Sequence, residues 1–176
     1  QMPKASGRIE PYLDRLYGYA VSLCGDPHDA KDLVQECAAK AIAARRVPED
    51  ASAYRAWLFR ILRNTFLDGV RKTRFEVEMV EDNDPRDDDP AVWHCETALI
   101  SGLTVKMALQ KISPTHRDII SLVDIAGLSY SEAAALLEIP EGTVMSRLSR
   151  ARRALMGQIA TENVHPFPLA KTTKSR

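Results

Sequence analysis

Apolar residues return every three or four positions along most of this chain, and the breaks carry proline, glycine and small hydroxyl or carboxylate residues, a pattern that predicts an all-α protein. From Ile9 to Leu23 the residues Leu13, Leu16, Tyr17, Ala20 and Val21 share one helical face, and Gly25-Asp26-Pro27 ends the run. Asp26 or Asp29 caps a second helix whose buried stripe is Ala30, Leu33, Val34, Cys37, Ala38 and Ala41, with Asp29, Asp32, Gln35, Glu36 and Lys40 turned outward. A loop from Val47 to Ser52 precedes a third helix, expected from Ala53 to about Lys72. Trp57, Leu58, Ile61, Leu62, Thr65 and Phe66 form its apolar face; Arg55, Arg60, Arg63, Asn64, Arg71 and Lys72 form a polar, mostly cationic one. Trp57 and Phe66 fit either of two roles, packing in a core or stacking on unpaired bases beside the cations.

Helical spacing resumes at Trp93 and runs through Leu99, Leu103 and Met107 to Lys111. Ser113-Pro114-Thr115 marks a break and a new start, and the next helix buries Ile119, Ile120, Leu122 and Val123 before Gly127. Two short helices joined by a tight turn follow. Ser129 or Ser131 caps the first, and Glu132 places a carboxylate in its first turn. Ile139-Pro140-Glu141-Gly142 breaks the pattern, with Gly142 the residue expected to take unusual dihedrals, and Thr143 opens the second helix. Val144, Leu148, Ala151 and Leu155 fall on its inner face. The rest of its surface is Thr143, Met145, Ser146, Arg147, Ser149, Arg150, Arg152 and Arg153, with four arginines and no carboxylate. A helix-turn-helix presents its second helix to the major groove, where arginine grips guanine edges bidentately and hydroxyls reach bases or phosphates.

Composition alters this picture in one respect. Lys and Arg total 24 and Asp and Glu total 24, so a net charge of zero gives no whole-chain sign of nucleic-acid binding. The distribution does. Between Glu76 and Glu96 the acids Glu76, Glu78, Glu81, Asp82, Asp84, Asp87, Asp88, Asp89 and Glu96 face the lone base Arg86, which leaves the flanking blocks basic. The expected organisation is a helical domain over 9–74, an acidic tether over 75–92 that spans the gap or folds back over the basic faces, a second helical domain over 93–160, and a tail over 161–176. Three cysteines, Cys24, Cys37 and Cys95, lack disulfide or metal spacing, and Trp93-His94-Cys95 offers too few ligands for a metal. No cofactor motif, phosphate-cradling glycine loop or nucleophile with a neighbouring base occurs, so no catalysis is expected. No apolar run approaches the roughly 18 residues a membrane span needs, and the expected location is cytoplasmic.

Four stretches in this order, DAKDLVQE (Asp29 to Glu36), YRAWLFRILRNTFLDGVRK (Tyr54 to Lys72), ISPTHRDIISLVDIAGLSYSEAAALL (Ile112 to Leu137) and IPEGTVMSRLSRARRAL (Ile139 to Leu155), resemble an extracytoplasmic-function sigma factor of bacterial RNA polymerase. The resemblance implies a two-domain promoter-recognition subunit with no cofactor. Its partners would be the core polymerase, through the clamp helices of the largest subunit and the flap, promoter DNA and an anti-sigma factor. It assigns polymerase binding to Asp29, Asp32, Gln35 and Glu36. Capture and melting of the minus-ten element falls to Arg45, Arg46, Tyr54, Arg60, Arg63, Asn64, Arg71 and Lys72. Within the helix-turn-helix, Ser146, Ser149 and Arg150 are the expected readers of minus-thirty-five base edges, with Arg147, Arg152 and Arg153 on phosphates. Many members carry a cation where this chain has Met145. A sigma-like decoy that binds an anti-sigma factor without reading promoters is the competing reading; such a mimic does not need Arg147, Arg150 and Arg153.

Overall fold

A computed structural model describes residues 8–78 and 98–162. Seven α-helices make up these residues, in the order α1 (Leu13–Cys24), α2 (Pro27–Ala43), α3 (Ala51–Glu78), α4 (Ala98–Lys111), α5 (Pro114–Ile120), α6 (Tyr130–Leu137) and α7 (Glu141–Glu162). Residues 75–78 of the expected tether therefore continue α3, while 79–92, with Trp93-His94-Cys95, lies outside the described residues.

The helix boundaries follow local chemistry. Asp26 is the α2 cap, its carboxylate accepting from the amides of His28 and Asp29, and Gly25 closes α1 with φ of 75°, a left-handed conformation that a side chain disfavours. Ser113 caps α5 by accepting from the His116 amide. Arg117 then reaches back, donating to the carbonyls of Leu109 and Gln110 at 2.8 Å each, so one guanidinium closes the C-terminus of α4. Ser129 caps α6 in a reciprocal capping box: its hydroxyl accepts from the Glu132 amide and the Glu132 carboxylate accepts from the Ser129 amide.

Between α5 and α6 the chain takes one wider helical turn over Ser121–Ile125, in which the Ala126 amide donates to the Ser121 carbonyl at 2.8 Å. Gly127, at φ of 72°, then redirects the backbone into α6. The α6–α7 turn departs from expectation. Its left-handed residue is Glu138 (φ 56°), whereas Gly142 lies inside α7, which begins at Glu141 rather than Thr143. The turn must reverse immediately after Leu137, before Pro140, so the strained position falls on the residue available there.

Two apolar clusters form. The smaller joins Leu109, Ile112, Ile119, Ile120, Ala133, Val144, Leu148 and Ala151 around the helix-turn-helix. The larger gathers Leu16, Tyr19, Leu23, Leu33, Cys37, Tyr54, Leu58, Phe59 and Leu62 of α1–α3, and it also takes in Leu122, Ala126, Leu128 and Leu136 from the second half. The halves are thus packed against each other. Gly18 of α1 permits this, because a Cβ there would sit 3.3 Å from the Ile125 side chain. Within α1 the inward tyrosine is Tyr19, fully buried, while Tyr17 is exposed; on α4, Met107 is likewise exposed and Ala108 and Leu109 turn inward.

Replacing Glu138 by glycine removes the left-handed strain on a side-chain-bearing residue, and the expected gain is about 0.5–1 kcal/mol in thermal or urea unfolding. Equal or lower stability of Glu138→Gly would contradict a strained turn.

Candidate nucleic-acid interface

α7 presents the first surface. Val144, Leu148 and Ala151 fix its inner face in the smaller core, and this anchoring leaves Met145, Ser146, Ser149, Arg150 and Arg153 exposed, with Thr143 and Arg147 half-buried at the edge. Arg150 folds along its own helix, Nε donating to the Ser146 carbonyl at 3.3 Å, so its guanidinium is placed over Ser146. Arg152 points elsewhere: it grips the Asp124 carboxylate through two bonds of 2.6 and 3.0 Å, which places that cation in an intramolecular pair.

The second surface lies on α3 and is largely engaged. Arg55 forks onto Glu132 of α6, Nη2 to Oε2 at 2.5 Å and Nε to Oε1 at 3.2 Å, while the Ser52 hydroxyl donates to Oε1 at 2.6 Å. Arg63 donates through Nε to Asp118 of α5 at 2.8 Å, and the other oxygen of Asp118 accepts from the Tyr19 hydroxyl at 2.7 Å. Arg60 donates to the Ala135 carbonyl at 2.7 Å, in the last turn of α6 where the helix dipole is negative. Of the remaining expected residues, Asn64, Arg71 and Lys72 are exposed further along α3, Arg71 lying 3.7 Å from Asp68, and Arg45 and Arg46 are exposed in the loop after α2. Tyr54 is placed differently. Only 3% of it is exposed, the Arg8 guanidinium stacks 4.4 Å over its ring, and Tyr12 and Trp57 flank it, so the ring is a packing element here.

The acidic face of α2 is open. Asp29, Asp32, Gln35 and Glu36 are all exposed, with Lys40 2.8 Å from Glu36 and His28 3.5 Å from Asp32. Asp29, Asp32 and Glu36 border a groove of about 690 Å³ whose apolar wall includes Leu33, Phe66 and Val70. Arg74 and Arg117 line the same groove, so it carries both signs of charge around an apolar wall.

Sequence reasoning missed Asp118 and the second role of Glu132. Each was legible as an acid among apolar neighbours, a position where a carboxylate needs a partner. Burial pushes the Glu132 carboxyl up, but hydrogen bonds from Arg55, Ser52 and Ser129 outweigh it and hold the group at about 2. Burial raises the thiols of Cys24 and Cys37 to about 11 and about 12, which makes them unreactive packing residues.

Residues 8–76 match the family model for sigma-70 region 2, and residues 103–155 match that for sigma-70 region 4. The ECF RNA polymerase sigma factor SigE of Mycolicibacterium smegmatis is 34% identical over 164 residues, covering 90% of this chain and 63% of that protein. EcfG of Rhodopseudomonas palustris, also an ECF RNA polymerase sigma factor, is 34% identical over 86% of this chain and 83% of its own length. The chain belongs to the ECF sigma factors of the sigma-70 family. Among solved structures, this sigma factor resembles RpoE in its complex with the anti-sigma factor NepR from Bartonella quintana, with a TM-score of 0.70, 33% identity, and coverage of 89% and 96% of the two chains. CnrH, solved with the cytosolic domain of CnrY, gives a TM-score of 0.56 at 25% identity. The cation-rich α3 falls in region 2 and the helix-turn-helix of α6 and α7 in region 4. Among the described residues no helix is long and apolar enough to cross a membrane.

Because the Glu132 carboxyl is held below its ordinary value of 4.5, its ionised form favours the folded state; that contribution is complete above pH 4.5 and is lost as pH falls toward about 2. Urea unfolding of the wild type should lose on the order of 2 kcal/mol over that window through this group, and Glu132→Gln should flatten that part of the profile. An unaltered profile in the variant would show that the carboxylate is not held by these partners.

Proposed function

We propose that this ECF sigma factor binds core RNA polymerase and directs promoter-specific initiation, and that an anti-sigma factor holds it inactive. In this reading the acidic face of α2, Asp29, Asp32, Gln35 and Glu36, docks on the clamp helices of the largest subunit, and the second domain engages the flap. The loop after α2 with Arg45 and Arg46, and α3 with Arg60, Arg63, Asn64, Arg71 and Lys72, takes the minus-ten element, where cations offset the few kcal/mol of unstacking a base. The α7 helix reads the minus-thirty-five element, with Ser146, Ser149 and Arg150 at base edges and Arg147 and Arg153 on phosphates.

The observation that carries the reading is the outward face of α7. A buried apolar stripe holds it on a capped first helix, and its exposed residues include Ser146, Ser149, Arg150 and Arg153 with no acid among positions 143–153. Arg152 makes the weakest contribution, since DNA would have to displace Asp124 from it. Tyr54 supports the base-capture loop by packing rather than by offering its ring. The complex of RpoE with the anti-sigma factor NepR supports an anti-sigma partner for this chain.

Run-off transcription with purified core polymerase and a promoter library tests the function: added protein should raise initiation on a subset of templates sharing two elements, and no increase on any template would refute it. In that assay Arg150→Ala should weaken promoter binding by about 1–3 kcal/mol and relax one base position of the upstream element. Retained base preference would remove Arg150 from the readers.

A further inference from the structure

The segment that joins α2 to α3, residues 44–50, carries Arg45 and Arg46 exposed and forms no helix or strand of its own. Such a loop keeps one conformation only where side chains tie it down. Val47 packs against the larger core, and Asp50 anchors the far end in the manner of a helix cap, its carboxylate accepting from the Ala53 amide at 2.9 Å and its carbonyl from the Tyr54 amide at 2.8 Å. Between those anchors the carbonyls of Pro48 and Glu49 are both taken by one residue that lies ahead of α1. Arg8 donates through Nη2 to Pro48 at 2.9 Å and to Glu49 at 3.2 Å, partners 40 and 41 positions away along the chain.

The guanidinium is itself held. Its Cζ lies 4.4 Å from the centroid of the Tyr54 ring, within cation–π range, and that buried ring is flanked by Tyr12 and Trp57 with centroids 5.8 and 5.5 Å away. Ile9, the next residue, is buried in the same core, so the backbone at Arg8 is anchored as well. A planar guanidinium can stack on a ring and donate in its own plane at once, which a lysine ammonium does less well. Arg8 is thus a bracket between a fixed aromatic stack and the loop. We infer that Arg8 is a positioning residue for the minus-ten element: it sets the path of residues 44–50, and through that path the loop's preference for the base it captures, without touching DNA. The inference rests on the proposed strand-capturing role of that loop. A displacement of about 1 Å in a capturing backbone misplaces the partners of an extruded base, so loss of the bracket reads as lost discrimination between bases. General attraction for the strand survives, because Arg45 and Arg46 remain in the loop.

The test uses holoenzyme assembled from core polymerase and the full-length chain. The probe is a labelled single strand carrying the minus-ten element of a template from which the wild type initiates, made with each of the four bases at every position of the element in turn. Fluorescence anisotropy gives the affinity ratio between the preferred base and the others. In Arg8→Ala that ratio should fall about tenfold at the captured position, while affinity for core polymerase and for a labelled duplex with only the upstream element stays within about twofold of wild type. Arg8→Lys, which restores a cation over Tyr54, should recover part of the ratio. An Arg8→Ala holoenzyme with the wild-type ratio would overturn the inference, and so would one that loses affinity for all four bases by the same factor, the signature of a staple that only holds the domain together. If Arg8→Ala fails to fold by circular dichroism, Arg8→Gln, which keeps a donor and loses the charge, takes its place under the same two criteria. The Arg45→Ala, Arg46→Ala double variant separates the inference from the reading beneath it. If it binds the strand as tightly as wild type, the loop's capturing role fails; if it binds more weakly while Arg8→Ala keeps the wild-type ratio, the positioning role alone fails.

Discussion

One carboxylate joins the two halves of the molecule. Glu132 accepts hydrogen bonds from Ser129 within its own helix and from Ser52 and Arg55 of the other half, while only 8% of the residue is exposed. Leaving such a group unpaired would cost several kcal/mol, so burial of Glu132 is compatible with folding only when Arg55 is close. The apolar seam supplies the attraction between the halves, and the ion pair fixes their register. Asp118, 15% exposed between Arg63 and Tyr19, repeats the arrangement one helix away.

The chain is neutral overall yet carries locally basic faces, because nine of its 24 acids fall between Glu76 and Glu96. Part of the acid complement is placed in the second half opposite the α3 cations, part lines the open α2 groove, and none lies on α7 between Thr143 and Arg153. The charge is segregated by element: exposed acids on α2, exposed cations on α7, and on α3 cations paired with acids of the second half.

Much of the fold was legible because helix limits are local. Asp26 and Ser129 are each one of the two caps the sequence allowed at their helix starts, a helix does begin at the Ser113-Pro114-Thr115 break, and the Val144, Leu148 and Ala151 stripe is buried as its period required. The turn residue was not legible, since Gly142 looked the natural site for unusual dihedrals and the actual site, Glu138, carries no mark in the sequence. Tyr17, expected on the apolar face, is exposed and Tyr19 is buried instead because the second half packs on α1 from the side of Gly18 and Tyr19, a long-range fact outside any helical period. The same holds for the site. The cations of α3 were readable as cations, but their engagement depends on partners 55 and 77 positions away along the chain.

A double-mutant cycle on Arg55 and Glu132 tests the interdomain contact most directly, because the capping role of Glu132 appears in both of its legs and cancels. Unfolding free energies of wild type, Arg55→Met, Glu132→Gln and the double variant should give a coupling of about 1–3 kcal/mol at neutral pH. Coupling within roughly 0.3 kcal/mol of zero would mean that the two halves do not meet through this pair in solution.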